Sequence, residues 1–252
     1  MFLSDISFKG KTAIITGGTQ GIGLATAKML AAMGGRAIVI GRGAAKGEAA
    51  VKEIGNAAFY SMDLGDSDNV VKVFEQIIRD EGKIDILINN AGIVNTDDFD
   101  KIEKKDWDNI LNVDLTAVFL SCQTVFRHMA ENGGGRIVNV ASIAGKVGGG
   151  YLGTAAYASA KAAVISLTKA VAKAGSPKNI YCNSICPAYT KTPLVADRLV
   201  GEKLEKILAS TPLHRGADPA EVASAILFLA SDAASFIQGE NLNCDGGLLM
   251  DG

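Results

Sequence analysis

Between Lys11 and Cys244 the chain repeats one unit, a short β-branched apolar run followed by a helical stretch, and this alternation constrains the fold more than any other feature. Lys11–Thr16 is such a run; it ends in glycines, and Ile22–Met33 then has helical spacing up to Gly34 and Gly35. The spacing predicts further strands near Ala37–Ile40, Ala58–Met62, Ile84–Ile88, Arg136–Val140, Ile180–Ile185 and Asn241–Asn243. Helices are predicted at Ala44–Ile54, Ser67–Asp80, Asp106–Ala130 and Ala155–Lys173. Asp218, Pro219 and Glu221 read as N-cap, N1 and N3 of a last helix running to about Ala230. About seven strands alternating with helices specify an α/β, doubly wound, Rossmann-type parallel sheet covered on both faces. No Pro, Ser or charge-rich linker divides the 252 residues, so one domain is expected.

Right-handed crossovers bring the loops after the strands to one edge of such a sheet, where ligands bind. Composition narrows the ligand. A net charge of -2, with no basic run, offers no field for nucleic acid or an anionic surface. The first residues have neither the basic start nor the apolar run of a signal peptide, and charges or glycines interrupt every apolar stretch, so no membrane span and a cytoplasmic location are expected. Cys122, Cys182, Cys186 and Cys244 are expected as reduced thiols, and with two histidines in the chain no metal site is expected.

The segment Thr16-Gly17-Gly18-Thr19-Gln20-Gly21-Ile22-Gly23 joins the first strand to the first helix. A turn without side chains there lets backbone N–H groups at a helix N-terminus approach a pyrophosphate. The second strand ends in Gly41-Arg42, with no carboxylate for the 2'-hydroxyl of NAD. A cation at that place suits a 2'-phosphate, so NADP(H) is preferred with NAD(H) possible, although a solvated surface arginine would read the same way. Asp63, after the third strand, could accept from an adenine amino group; the Asn side chains of Asn89-Asn90-Ala91-Gly92, after the fourth, could equally brace the turn.

Tyr157 and Lys161 stand four apart on a predicted helix and share a face, so the ammonium can stabilise a phenolate and bring it toward a working acid/base. Ser142 ends the fifth strand at the same sheet edge and could donate to a carbonyl oxygen. Asn112 sits inside the long predicted helix, where it could bend the helix and hold a water, or be purely structural.

Together these residues resemble the short-chain dehydrogenase/reductase family from Lys11 to Gly247: TGGTQGIG at 16–23, Asp63-Leu64, NNAG at 89–92, Asn112, Ser142, Tyr157-x-x-x-Lys161, Pro187 with Thr192, and Asp245-Gly246-Gly247. The resemblance implies that Tyr157 exchanges the substrate proton while hydride moves to or from a nicotinamide, that Ser142 holds the oxygen, that Lys161 also binds the ribose, and that Asn112 positions a relay water. It implies a cofactor site of Gly17, Thr19, Gln20, Gly21, Ile22, Gly23, Arg42, Asp63, Leu64, Asn90, Ala91, Gly92, Tyr157, Lys161, Pro187 and Thr192. It also implies a homotetramer paired through the helices at 106–130 and 155–173, and a substrate lid at about 189–215. Gly41-Arg42 and Thr192-Pro193-Leu194-Val195 are similar to NADP-preferring R-specific alcohol dehydrogenases. Two features depart from the family pattern: Ala188 follows Pro187 in place of glycine, and the Ser142–Tyr157 gap is two residues longer than usual, reshaping the loop Gly148–Gly153.

An apolar pocket of Val94, Val147, Leu152 and Leu194, under helical spacing in Leu194–Leu208, would favour a neutral ketone or secondary alcohol. The alternatives are a 3-oxoacyl-carrier-protein reductase, a polyol or sugar dehydrogenase, and, from another class, a catalytically silent nicotinamide-sensing regulator.

Overall fold

The computed structural model describes residues 6–150 and 154–251. Strands and helices alternate in chain order: β1 Thr12–Thr16, α1 Gly21–Ala32, β2 Arg36–Gly41, α2 Ala44–Ile54, β3 Ala57–Ser61, α3 Ser67–Glu81, β4 Ile86–Asn89, α4 Lys104–Leu111, α5 Ala117–Glu131, β5 Gly135–Val140, α6 Ala144–Val147, α7 Ala155–Gly175, β6 Ile180–Pro187, α8 Gly201–Ser210, α9 Pro219–Leu229 and β7 Asn241–Cys244. All pairings are parallel, and the sheet order is β3-β2-β1-β4-β5-β6-β7. The order reverses between β1 and β4, which opens a crevice at their C-terminal ends.

Why these sequences make a two-sided sheet is visible in neighbouring residues. Ile14 and Ile15 point to opposite faces, as the two-residue strand period requires, yet both are fully buried. Ile14 packs with Ile38, Leu87, Phe74 and Val125 beneath α3 and α5; Ile15 packs with Val39, Ile88, Leu30 and Ile226 beneath α1 and α9. Each such side chain contributes about 1.5–3 kcal/mol on burial, so both helical layers are held to the sheet by the same strands.

The expected helix at Asp106–Ala130 is three pieces: α4, a π-helical turn at Asn112–Thr116, and α5. The continuous run Lys104–Glu131 is long and apolar enough to cross a membrane by length and composition alone, a test that a core helix also passes. Its apolarity has another use here: Val118, Cys122, Val125 and Met129 lie in the core against the sheet. The helix expected from Leu194 starts only at Gly201, because Thr192–Leu199 forms a series of tight turns closed onto the Thr192 and Val195 carbonyls. Leu152 lies outside the described residues.

Candidate active site

At the C-terminal ends of the strands one continuous cavity of about 960 Å³ runs from the Gly17–Ile22 turn to the mouth formed by Leu194 and Val147. The turn is built for close approach. Gly17 has φ +65° and a side chain there would meet Asn90 Nδ2 at 2.9 Å; Gly21 has φ +55°, with Thr192 against it at 3.2 Å. Gly23 does not line the cavity as expected. A side chain at Gly23 would strike the Gly17 carbonyl, so its smallness seats α1 against the turn. Thr19, Gln20, Gly21 and Ile22 line the cavity, as do Arg42, Asp63, Leu64, Ala91, Gly92, Pro187 and Thr192.

Asn90 lines the cavity too, but its amide braces the turn, donating to the Thr16 carbonyl at 2.9 Å and to the Gly17 carbonyl at 3.3 Å. Thr16, which the sequence reading passed over, ties the same two loops together: its hydroxyl accepts from the Asn90 and Ala91 amides, both at 3.0 Å. Its signal was a polar residue ending an otherwise apolar strand. One Asp63 oxygen accepts from the Gly65 amide at 2.9 Å and fixes the loop after β3. Exposed Arg42 pairs with no carboxylate among the described residues. The glycine cradle, the amides it frees and a cavity of this length fit a dinucleotide.

Halfway along the cavity the strand ends bring Ser142, Tyr157 and Lys161 together. The Ser142 hydroxyl is held by the Ala144 amide at 3.1 Å. Lys161 is 3% exposed; its ammonium donates to the Val140 carbonyl at 3.1 Å and stands 5.5 Å from the centre of the Tyr157 ring. Burial pushes the Tyr157 hydroxyl above its ordinary value; Lys161 opposes the shift, Asp114 adds to it, and a hydrogen bond with Ser142 opposes it again. Burial draws Lys161 down, but the Asp114 carboxylate and then Tyr157 outweigh it, and the ammonium is held above its ordinary range.

Asn112 is not among these residues. It is exposed and away from the cavity, whereas the buried side chain facing Lys161 is Asp114, with Oδ2 at 3.2 Å from Nζ. On a helix, two residues of offset turn a side chain about 200° around the axis, so Asn112 and Asp114 cannot share a face. Asp114 was detectable as a carboxylate on the stripe Ile110, Val113, Ala117, Val118, Ser121, which is otherwise apolar or small.

A model of the short chain dehydrogenase family matches residues 11–202. The chain belongs to that family. Among its relatives, a 3-oxoacyl-[acyl-carrier-protein] reductase of Aquifex aeolicus (strain VF5) is 36% identical over 97% of this chain and 99% of its own length. A cis-4-hydroxycyclohexanecarboxylate dehydrogenase of Sinomonas cyclohexanicum is 39% identical over 96% and 97%. A solved structure described as an NAD(P)-dependent gluconate 5-dehydrogenase of Beutenbergia cavernae, with NADP at low occupancy, superposes with a TM-score of 0.91 at 34% identity, covering 96% of this chain and 98% of that one. As a short-chain dehydrogenase this protein is an oxidoreductase working with a nicotinamide cofactor.

Proposed function

We propose that this enzyme interconverts a neutral ketone and its secondary alcohol with NADP(H), using Tyr157 as acid/base. The observation that carries the reading is the placing of the Tyr157, Ser142 and Lys161 side chains where the glycine-lined half of the cavity meets an apolar half. When bound, a nicotinamide dinucleotide supplies or takes up the hydride. Ser142 orients the substrate oxygen, Tyr157 gives that oxygen its proton in reduction or removes it in oxidation, and Lys161 holds a compensating positive charge beside the phenol.

Substrate chemistry follows from the wall. Val94, Val147, Leu194, Val195, Leu199 and Ile207 line the far half, and the charged residues on the cavity are Arg42, Asp63, Asp66 and Lys161. The first three lie at the adenosine end, so among the described residues no cation is left to pair a substrate carboxylate, and leaving one unpaired there is costly. A second reading, reduction of a 3-oxoacyl thioester, is favoured by the relatives named 3-oxoacyl-[acyl-carrier-protein] reductase, and by the neutrality of such a substrate at its reacting end. Arg42 supports NADP over NAD, since an unpaired guanidinium can fork onto a 2'-phosphate.

A homotetramer and a cytoplasmic location belong to the same proposal. Exposed Phe119, Gln123 and Arg127 recur every four residues along α5 and offer a stripe for subunit pairing.

The test is the absorbance of reduced nicotinamide with NADPH and NADH offered separately against neutral ketones, acetoacetyl thioesters and ketosugars. Turnover with NADPH should fall about 100-fold or more in Tyr157→Phe with cofactor binding intact. Activity confined to charged 2-oxo acids, or a fully active Tyr157→Phe, would sink the reading.

A further inference from the structure

Asp114 is an ionisable side chain in contact with the reactive group's partner, and the roles given above to Ser142, Tyr157 and Lys161 do not use it. It is completely buried. Oδ1 accepts from the Ile93 amide at 2.8 Å, while Oδ2 faces the Lys161 ammonium as an ion pair at 3.2 Å and takes no hydrogen bond among the described residues. Two donors thus converge on one side chain, a backbone N–H and an ammonium. A carboxylate has an acceptor for each; an amide has one acceptor and would turn its own NH2 toward one of the donors.

The surroundings preserve this contact. The π-helical turn at Asn112–Thr116 carries Asp114 inward between α4 and α5. Gly92 leaves the space: a side chain there would meet Asp114 Oδ2 at 2.8 Å and Lys161 Nζ at 3.3 Å. The other groups facing the pair are few. Tyr157 comes from α7, Cys186 from β6 and the Val140 carbonyl from the end of β5; Lys146 and Asp251 act on Cys186 from beyond it. Burial raises the Asp114 carboxyl, with Lys161 and the Ile93 amide opposing, and burial likewise pushes the Cys186 thiol up to about 11. With the Ile93 amide donating to one oxygen and the Lys161 ammonium 3.2 Å from the other, Asp114 is the group of the set placed to face the ammonium as a carboxylate.

We propose that Asp114 is a positioning residue that sets the working pH of Tyr157 through Lys161, withholding part of the ammonium's charge from the phenol. This rests on the reading that Tyr157 exchanges the substrate proton. With Asp114 ionised, Lys161 protonated and Tyr157 neutral, the trio carries no net charge, and forming the phenolate makes it negative in a buried place. With a neutral residue at 114 the same ionisation takes the trio from positive to neutral, which is easier. In alcohol oxidation the phenolate takes the hydroxyl proton while the carbinol hydride leaves to the oxidised nicotinamide. Oxidation thus depends on the phenolate and is displaced to alkaline pH. Reduction uses the protonated phenol, which donates to the carbonyl carbon's oxygen as that carbon gains hydride, and so persists to higher pH.

The decisive experiment is the pH dependence of kcat/KM for oxidation of the best secondary alcohol with NADP+, and for the reverse reduction, in the wild-type enzyme and in Asp114→Asn and Asp114→Ser. Folding and cofactor binding are checked by circular dichroism and quenching of tryptophan fluorescence. The midpoint of the rising alkaline limb of oxidation should move down by about one to three pH units in a folded variant. The falling limb of reduction should move down with it. A folded, cofactor-binding variant whose midpoint stays in place or rises overturns the proposal. So does failure of both variants to fold, which would make the carboxylate a purely structural group. Wild-type enzyme that turns over no substrate on the panel would overturn the underlying reading of Tyr157 instead.

Discussion

At the level of single residues, the polar groups behind the active site are as consequential as those in it. Asn139, fully buried on β5, accepts from Asn89 Nδ2 at 2.9 Å and donates to Thr168 Oγ1 at 2.9 Å; the Ser121 hydroxyl donates to Asn89 Oδ1 at 2.7 Å. These links join β4, β5, α5 and α7, three residues before Ser142. Asn139→Ala would remove the Asn89 amide's oxygen acceptor and leave it only the Cys122 sulfur at 3.3 Å, in a site closed to water. A loss of about 2–4 kcal/mol in unfolding free energy is expected by urea denaturation, and a loss near zero would mean that the network relaxes without cost. The residue scale is also where sequence reading succeeded and failed most clearly. Tyr157 and Lys161 could be found because their spacing is itself the chemistry, and the glycines because a missing Cβ is a backbone requirement. Asn112 was mistaken for a site residue because its side chain suits the role, while the register of the helix, set by a π-helical turn, decides which side chain faces inward. That register was nonetheless legible, since Ile110, Ala117, Val118 and Ser121 put position 114 and not 112 on the inward stripe; the turn itself packs against α7.

Whole elements were more legible than their details. Every expected strand appears within three residues of its predicted ends; the central ones, β1, β2, β4, β5 and β6, are buried runs carrying β-branched residues, while the edge strands β3 and β7 carry none and were placed by the alternation alone. The segment around 194–208 failed because four leucines at helical spacing also suit turns packed over a cavity, and Leu194 and Leu199 line that cavity from non-helical backbone. At α9 the reading was capping chemistry, and it can be tested by pH. The Asp218 amide donates to the Glu221 carboxylate at 2.9 Å, and Arg215 grips the same carboxylate with two bonds of 2.6 and 2.7 Å. The Arg215 hydrogen bonds, with that of the Asp218 amide, lower Glu221 to about 2. A depressed carboxyl contributes stability that is complete above its unfolded value of about 4.3 and disappears as pH falls through the folded one. Glu221→Gln should therefore lower Tm at pH 7, and the gap from wild type should shrink steadily below about pH 5. A gap independent of pH would show that the packing of α9, and not its charged cap, is what the substitution disturbs.

For the molecule as a whole, the sheet order places the two ends of one ligand on opposite halves of the fold. An adenosine end would rest on the loops after β1, β2 and β3, and the reactive end on those after β4, β5 and β6, all of which line the cavity. A dinucleotide spanning β1 and β4 at the point of reversal would add a link between halves already joined by the β1–β4 ladder, the Thr16–Asn90 bonds and the helical layers. Binding to the folded state alone, at about a hundred times Kd, contributes about 2.7 kcal/mol. For a chain of this size that corresponds to a rise in Tm of about 5–10 °C. The rise should be larger with NADP+ than with NAD+ at equal concentration, because a 2'-phosphate would give Arg42 a partner that NAD+ lacks. Arg42→Ala should bring the NADP+ curve down to the NAD+ curve and leave the latter where it was, as measured by differential scanning fluorimetry. Were NAD+ to protect the wild-type protein as well as NADP+ does, Arg42 would be an ordinary solvated side chain, and the cofactor preference would have to be sought in Thr19 and the loop after β3.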